Sequence, residues 1–95
     1  MIYRIYTEYR PGLAAIVAKH FDGFTMLAPA IGYWKGVPEH TQVIEIALDS
    51  DCGAFAGHSR IVALADAIRV ANHQESVLVV GITANTVLVT AKVTK

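Results

Sequence analysis

The chain has 95 residues, with eight Lys or Arg against eight Asp or Glu and a formal net charge of zero. A length of this order holds one hydrophobic core, and the charge balance gives no field that would steer the chain to a nucleic-acid polymer or an anionic membrane. Hydrophobic residues make up 54% of the chain and charged residues 17%, so part of the surface is expected to be covered by another subunit.

Residues Ile2 to Thr7 are rich in β-branched and aromatic types and read as a strand, with Tyr3 and Ile5 on one face and Arg4 and Tyr6 on the other. Pro11 suits a first helical turn, and Leu13, Ile16, Val17 and Phe21 follow at helical spacing before Asp22-Gly23. This predicts a helix of about three turns. Phe24 to Ile31 reads as a second strand weakened by Pro29, and the glycines and proline of Gly32 to Pro38 mark a connecting loop. From Thr41 to Leu48, Ile44, Ile46 and Leu48 alternate with Thr41, Val43, Glu45 and Ala47, a third strand.

Asp49, Ser50 and Asp51 can cap a second helix, carried by Ile61, Leu64, Ala65, Ile68 and Ala71 and ending near Asn72. Ser76 to Ile82 is apolar on both faces apart from Gly81, which predicts a strand buried on both sides. Thr83-Ala84-Asn85 reads as a turn, and the alternation of Val87, Val89, Ala91 and Val93 predicts an additional C-terminal strand over 86–94, paired to its predecessor. The expected fold is therefore a single α+β domain of ferredoxin-like type, β-α-β-β-α-β over 1–82 plus that extra strand. Two helices cover one sheet face. The open face, with Arg4, Tyr6, Val43 and Glu45, is then the expected seat of self-association into a homodimer or homotrimer.

Three segments, Phe21-Asp22-Gly23-Phe24-Thr25, Gly32-Tyr33-Trp34-Lys35-Gly36 with Glu39, and Asn72-His73-Gln74-Glu75-Ser76-Val77-Leu78, resemble landmarks of small prokaryotic and phage proteins of unassigned function. Proteins of that family have a dimeric or trimeric ferredoxin-like fold. More distantly, the aromatic loop before a strand, with a helix and a last strand to follow, is similar to CutA and PII-like signalling proteins. The resemblance implies a trimer and a nucleotide or metal site between subunits. Tyr33, Trp34, Lys35, Glu39, Gln74 and Glu75 align with motif positions of the uncharacterised family. The connection between second and third strands is short where PII proteins have a long loop.

Several side chains qualify as ligand contacts. Tyr33 and Trp34 beside Lys35 can stack a ring and hold a phosphate, or simply cover the end of the core. Gln74 and Glu75 lie at a helix-to-strand junction, where polar groups converge on a cleft or merely end the helix. Arg4 and Glu45 belong on neighbouring strands of the open face, as an ion pair or as the walls of an intersubunit pocket with Tyr6. His20, His40, His58 and His73 have no tight ligand spacing, and Cys52 lacks a second thiol, so no metal or other cofactor is expected within one chain and no internal disulfide can form. Ser59 beside His58 makes no dyad, since adjacent helical positions diverge, and no catalytic motif is present.

The expected function is binding, not catalysis: a cytoplasmic homo-oligomer holding a nucleotide or nucleotide-derived signal, in a phage setting one that sequesters a host defence signal. Two other readings remain open. One is a structural or protein-interaction module assembling through the open sheet face, and the other a small phosphate-ester hydrolase.

Overall fold

Hydrophobic alternation in the first strand decides the centre of the molecule. In the computed structural model, which describes residues 1–27, 29–48 and 54–83, β1 (Ile2–Glu8) buries Tyr3, Ile5 and Thr7 on one face and leaves Arg4, Tyr6 and Glu8 half-buried on the other. β1 pairs antiparallel with β4 (Val37–Ala47) on one side and with β5 (Leu78–Ile82) on the other. Ile5 faces Ile44 and Val79 across the two ladders and is fully buried. The remaining strands, β2 (Thr25–Met26) and β3 (Ala30–Trp34), follow one another along the far edge of β4, so the described sheet runs β2/β3, β4, β1, β5.

Two helices close one face of this sheet. α1 (Leu13–Ala18) contributes Leu13 and Val17, and α2 (Ala54–Ala71) contributes Ile61, Leu64 and Ile68, to a cluster with Tyr3, Ile5, Ile44 and Ile46. The first helix is shorter than its apolar spacing predicts. Phe21 lies beyond its end yet is buried in the same core, and Arg60 of α2 reaches over the Phe21 ring at 4.4 Å while donating to the His20 carbonyl at 2.9 Å. Tertiary contact replaces the missing last turn. At its start, Gly12 holds φ 88°, a left-handed conformation that a side chain disfavours.

The segment after α1 departs most from the pattern reading. The expected second strand over 24–31 is two pieces, because Pro29 has no N–H to give the ladder. Leu27 N–H still bonds the Val43 carbonyl at 2.9 Å, and the buried Gln42 side chain donates to the Leu27 carbonyl at 2.6 Å, so a side chain keeps the interrupted edge paired.

What reads as a loop over 32–38 is a β-hairpin. Trp34 pairs with Val37, and only Lys35 and Gly36 turn the chain, at φ 51° and 78°. Successive left-handed residues match the twist of a tight hairpin; Gly36 accommodates this freely and Lys35 does so at a cost. The third expected strand accordingly starts at Val37, not Thr41.

The last described strand is not buried on both sides. Leu78 is 60% and Ile82 38% exposed, because among the described residues β5 pairs only with β1 and only one of its faces meets the helices. Gly81 serves that inner face: the Tyr3 ring lies so close that a Cβ there would sit 3.1 Å from Tyr3 Cε1. The expected cap at Asp49, Ser50 and Asp51, the residue Cys52, the turn at Thr83-Ala84-Asn85 beyond Thr83 and the C-terminal strand over 86–94 lie outside the described residues.

α2 ends where Asn72 suggests, in a Schellman-type cap. Gln74 N–H bonds the Arg69 carbonyl at 2.9 Å and His73 N–H the Val70 carbonyl at 3.2 Å, with His73 at φ 53°. Glycine is the residue that position favours. His73→Gly is expected to raise stability by about 0.5–1 kcal/mol, read as a higher urea midpoint at unchanged m value.

Candidate functional site

A difference in strand length creates the cleft. The register of β1 on β4 ends at Glu8 opposite Thr41, and Tyr9 N–H makes one more bond to the His40 carbonyl at 2.8 Å. β4 begins four residues earlier, at Val37, so its hairpin with β3 projects past the end of β1. Backbone groups alternate between the two edges of a strand, so Pro38 is the next residue after His40 to face the vacated edge. Having no N–H, it leaves no donor stranded there. The segment His73–Val77, between α2 and β5, lies on the opposite side. Hairpin, strand end and helix–strand junction enclose a cleft of about 720 Å³, floored by Tyr6, Thr7 and Glu8.

A buried polar network fixes the junction wall. Asn72, 7% exposed, donates through Nδ2 to the Glu8 carbonyl at 3.1 Å, to Thr7 Oγ1 at 3.2 Å and to Gln74 Oε1 at 3.1 Å, and the Thr7 hydroxyl donates to Gln74 Oε1. The backbone carbonyl can only accept, which fixes which Asn72 atom faces it, and that in turn fixes Gln74 Oε1 inward. Gln74 Nε2 remains without a hydrogen bond among the described residues.

Six of the nine residues singled out from the sequence line this cleft: Tyr6, Tyr33, Trp34, Glu39, Gln74 and Glu75. Trp34 and Glu39 project from the same face of the hairpin, since Gly32 pairs with Glu39 and Trp34 with Val37. A Cβ at Gly32 would collide with Thr41 Oγ1, so this stretch of wall has to be bare backbone. Lys35, at the hairpin tip, stands at the mouth: its Nζ lies 3.5 Å from Glu75 Oε2 and 5.7 Å from the Trp34 ring centre. With side chains 70% and 72% exposed, the Lys35–Glu75 pair is loosely held and easily parted.

Arg4 and Glu45 do not join the cleft. They pair across β1 and β4 on the open sheet face, Arg4 Nε 3.0 Å from Glu45 Oε2, and this bond pushes the Arg4 guanidinium still further above its already high range. Thr7, Glu8, Thr41, Asn72 and His73 also belong to the site, and none of them is singled out as a ligand contact from the sequence. Asn72 carries the one usable signal, a polar residue in phase with the buried stripe of its helix. Among the described residues no cluster of three or more His, Cys, Asp or Glu is placed to hold a metal ion, and no helix is long and apolar enough to cross a membrane.

The hairpin also exposes apolar surface. Ile31 is 67% and Tyr33 73% exposed on one face of the hairpin, and Val37 63% exposed on the other. No protein-family model matches the chain, no curated protein matches it, and no solved structure matches it.

Proposed function

We propose that this chain is a non-enzymatic, self-associating binding protein whose ligand, a nucleotide or nucleotide-derived signal, lodges in the cleft between the β3–β4 hairpin and the α2–β5 junction. The observation that carries the reading is convergence. Aromatic, carboxylate and amide side chains from three segments far apart in sequence meet around one concavity. Both non-glycine residues with positive φ among those described, Lys35 and His73, flank it. Backbone strain of this kind persists where the surrounding structure holds it and clusters at binding sites.

The proposed architecture is ferredoxin-like, in the manner of the small prokaryotic and phage family that the three landmark segments resemble. Counting β2 and β3 as one interrupted strand, the order second, third, first, last with antiparallel neighbours is what β-α-β-β-α-β demands. In a phage, such a pocket would serve to sequester a host defence signal. Lys35, at the mouth, is the group suited to a phosphate, and Arg4 on the open face would meet a ligand only if a second subunit brought one there.

Thermal unfolding of the purified protein against a panel of mono-, di- and cyclic nucleotides tests the reading. A true ligand at a hundredfold excess over its Kd stabilises by about 2.7 kcal/mol, a rise in Tm on the order of 10 °C for a domain this size. A flat response across the panel would remove nucleotides as ligands and favour the second reading, an interaction module. That reading rests on the exposed Ile31 and Tyr33, which share one face of the hairpin, a surface suited to a second copy or another protein.

A further inference from the structure

The geometry points to guanine as the base this cleft accepts, held by its donor edge against the Glu39 carboxylate while the ring lies on Trp34. The inference rests on the nucleotide-binding reading above and names the base within it.

Charge decides which end of a nucleotide goes in. Among the described residues the lining carries the carboxylates of Glu8, Glu39 and Glu75 and no Lys or Arg. Glu8 is neutralised by Arg10 at 2.8 Å and Glu75 by Lys35 at 3.5 Å. Glu39, half-buried, makes no hydrogen bond or ion pair among the described residues. A phosphate pushed into this cleft would meet uncompensated negative charge, so the phosphate end stays at the mouth with Lys35 and the base enters.

A carboxylate presents two acceptors side by side and no donor. Guanine alone among the common bases offers two adjacent donors on one edge, N1–H and the N2 amino group. Adenine and cytosine place a ring-nitrogen lone pair beside their amino group, which would face a carboxylate oxygen. Uracil and thymine flank a single N–H with two carbonyls. Leaving one partner of such a pair unmatched is where discrimination arises.

The spacing suits a stacked purine. Trp34 and Glu39 are diagonal cross-strand neighbours on one face, a relation that separates them by roughly 7–8 Å. Gly32, directly opposite Glu39, puts no side chain between them. A ring centred on the indole therefore reaches the carboxylate with its edge. Across the cleft, Gln74 has its carbonyl committed to Thr7 and Asn72 and keeps Nε2 as a donor, the complement of guanine O6. The Lys35 ammonium, now over the indole, leaves that position as the base arrives and turns to the phosphate.

Trp34 is the sole tryptophan of the chain, so its fluorescence reports the stacking directly. The full-length protein is titrated with guanosine, GMP, adenosine and AMP, with calorimetry as a second readout. Guanosine is expected to quench Trp34 and to bind roughly ten- to a hundredfold more tightly than adenosine. Glu39→Gln, at a half-exposed position where the circular dichroism spectrum is expected to stay unchanged, is expected to invert that order, because a carboxamide offers one acceptor and one donor. Adenosine binding as tightly as guanosine, or a guanosine-to-adenosine ratio untouched by Glu39→Gln, overturns the guanine assignment while leaving a nucleotide cleft in place. Silence from all four compounds in both readouts overturns the assignment, and silence from the whole nucleotide panel removes the cleft reading as well.

Discussion

Replacing Ile5 with alanine is expected to lower the unfolding free energy by about 3–4 kcal/mol, a large part of the 5–15 kcal/mol that holds a typical domain together. Ile5 is fully buried on the central strand, opposite Ile44 and Val79, in the core cluster to which both helices contribute. Neither ladder can close a hole between three strands without breaking pairing, so most of the cavity should persist. Urea unfolding of Ile5→Ala beside Arg4→Ala makes the measurement specific. Arg4 is the adjacent residue on the opposite face and loses only a partly exposed pair with Glu45, so its urea midpoint is expected to stay close to that of the wild type. Equal losses at the two positions would contradict the assignment of β1's inner face.

Asn72→Ala is expected to cost about 2–3 kcal/mol, out of proportion to the atoms removed. One amide nitrogen serves the Glu8 carbonyl, Thr7 Oγ1 and Gln74 Oε1, in a place almost closed to water. Its loss takes the side-chain donor from the Glu8 carbonyl and leaves Thr7 and Gln74 only their bond to each other. The effect should reach the cleft as well. With Asn72 gone, Gln74 keeps only the Thr7 hydroxyl, which can donate or accept and so no longer fixes the amide orientation, and ligand affinity should fall along with stability. Asn72→Asp tests the same donor with size kept, since a carboxylate cannot donate to the Glu8 carbonyl. Either variant matching the wild-type urea midpoint would sink this account of the junction.

How much of this was legible in the sequence depends on the range of the interaction. The inward set of β1, the alternation ending in Ile44 and Ile46, and the stripe of α2 up to Ile68 follow from periodicity alone, because burial there is decided residue by residue. The hairpin was not legible. Lys35-Gly36 is a poor advertisement for a tight turn, which asparagine or aspartate before glycine would announce, and the flanking Gly32 and Pro38 suggest a break in the chain. Gly32 is there because Thr41 crowds it, and Pro38 because β1 has ended, facts that belong to other strands. The site divides the same way. Aromatic and charged residues of the hairpin and junction stand out by type, whereas Thr7 and Asn72 matter only through each other.

The bond between Thr7 and Gln74 joins residues 67 positions apart, and that between Asn72 and Thr7 spans 65. No short piece of this chain can therefore carry the site. Long-range closures of this kind come late in folding, after most of the loop entropy has been surrendered. The cleft is then a certificate of completed folding: a chain arrested with its first hairpin formed but β5 undocked would offer Trp34 and Glu39 with no opposing wall. A ligand seated between the walls ties the end of α2 to the arm of the hairpin, so amide protons around His73 to Leu78 should be the ones whose exchange it slows most.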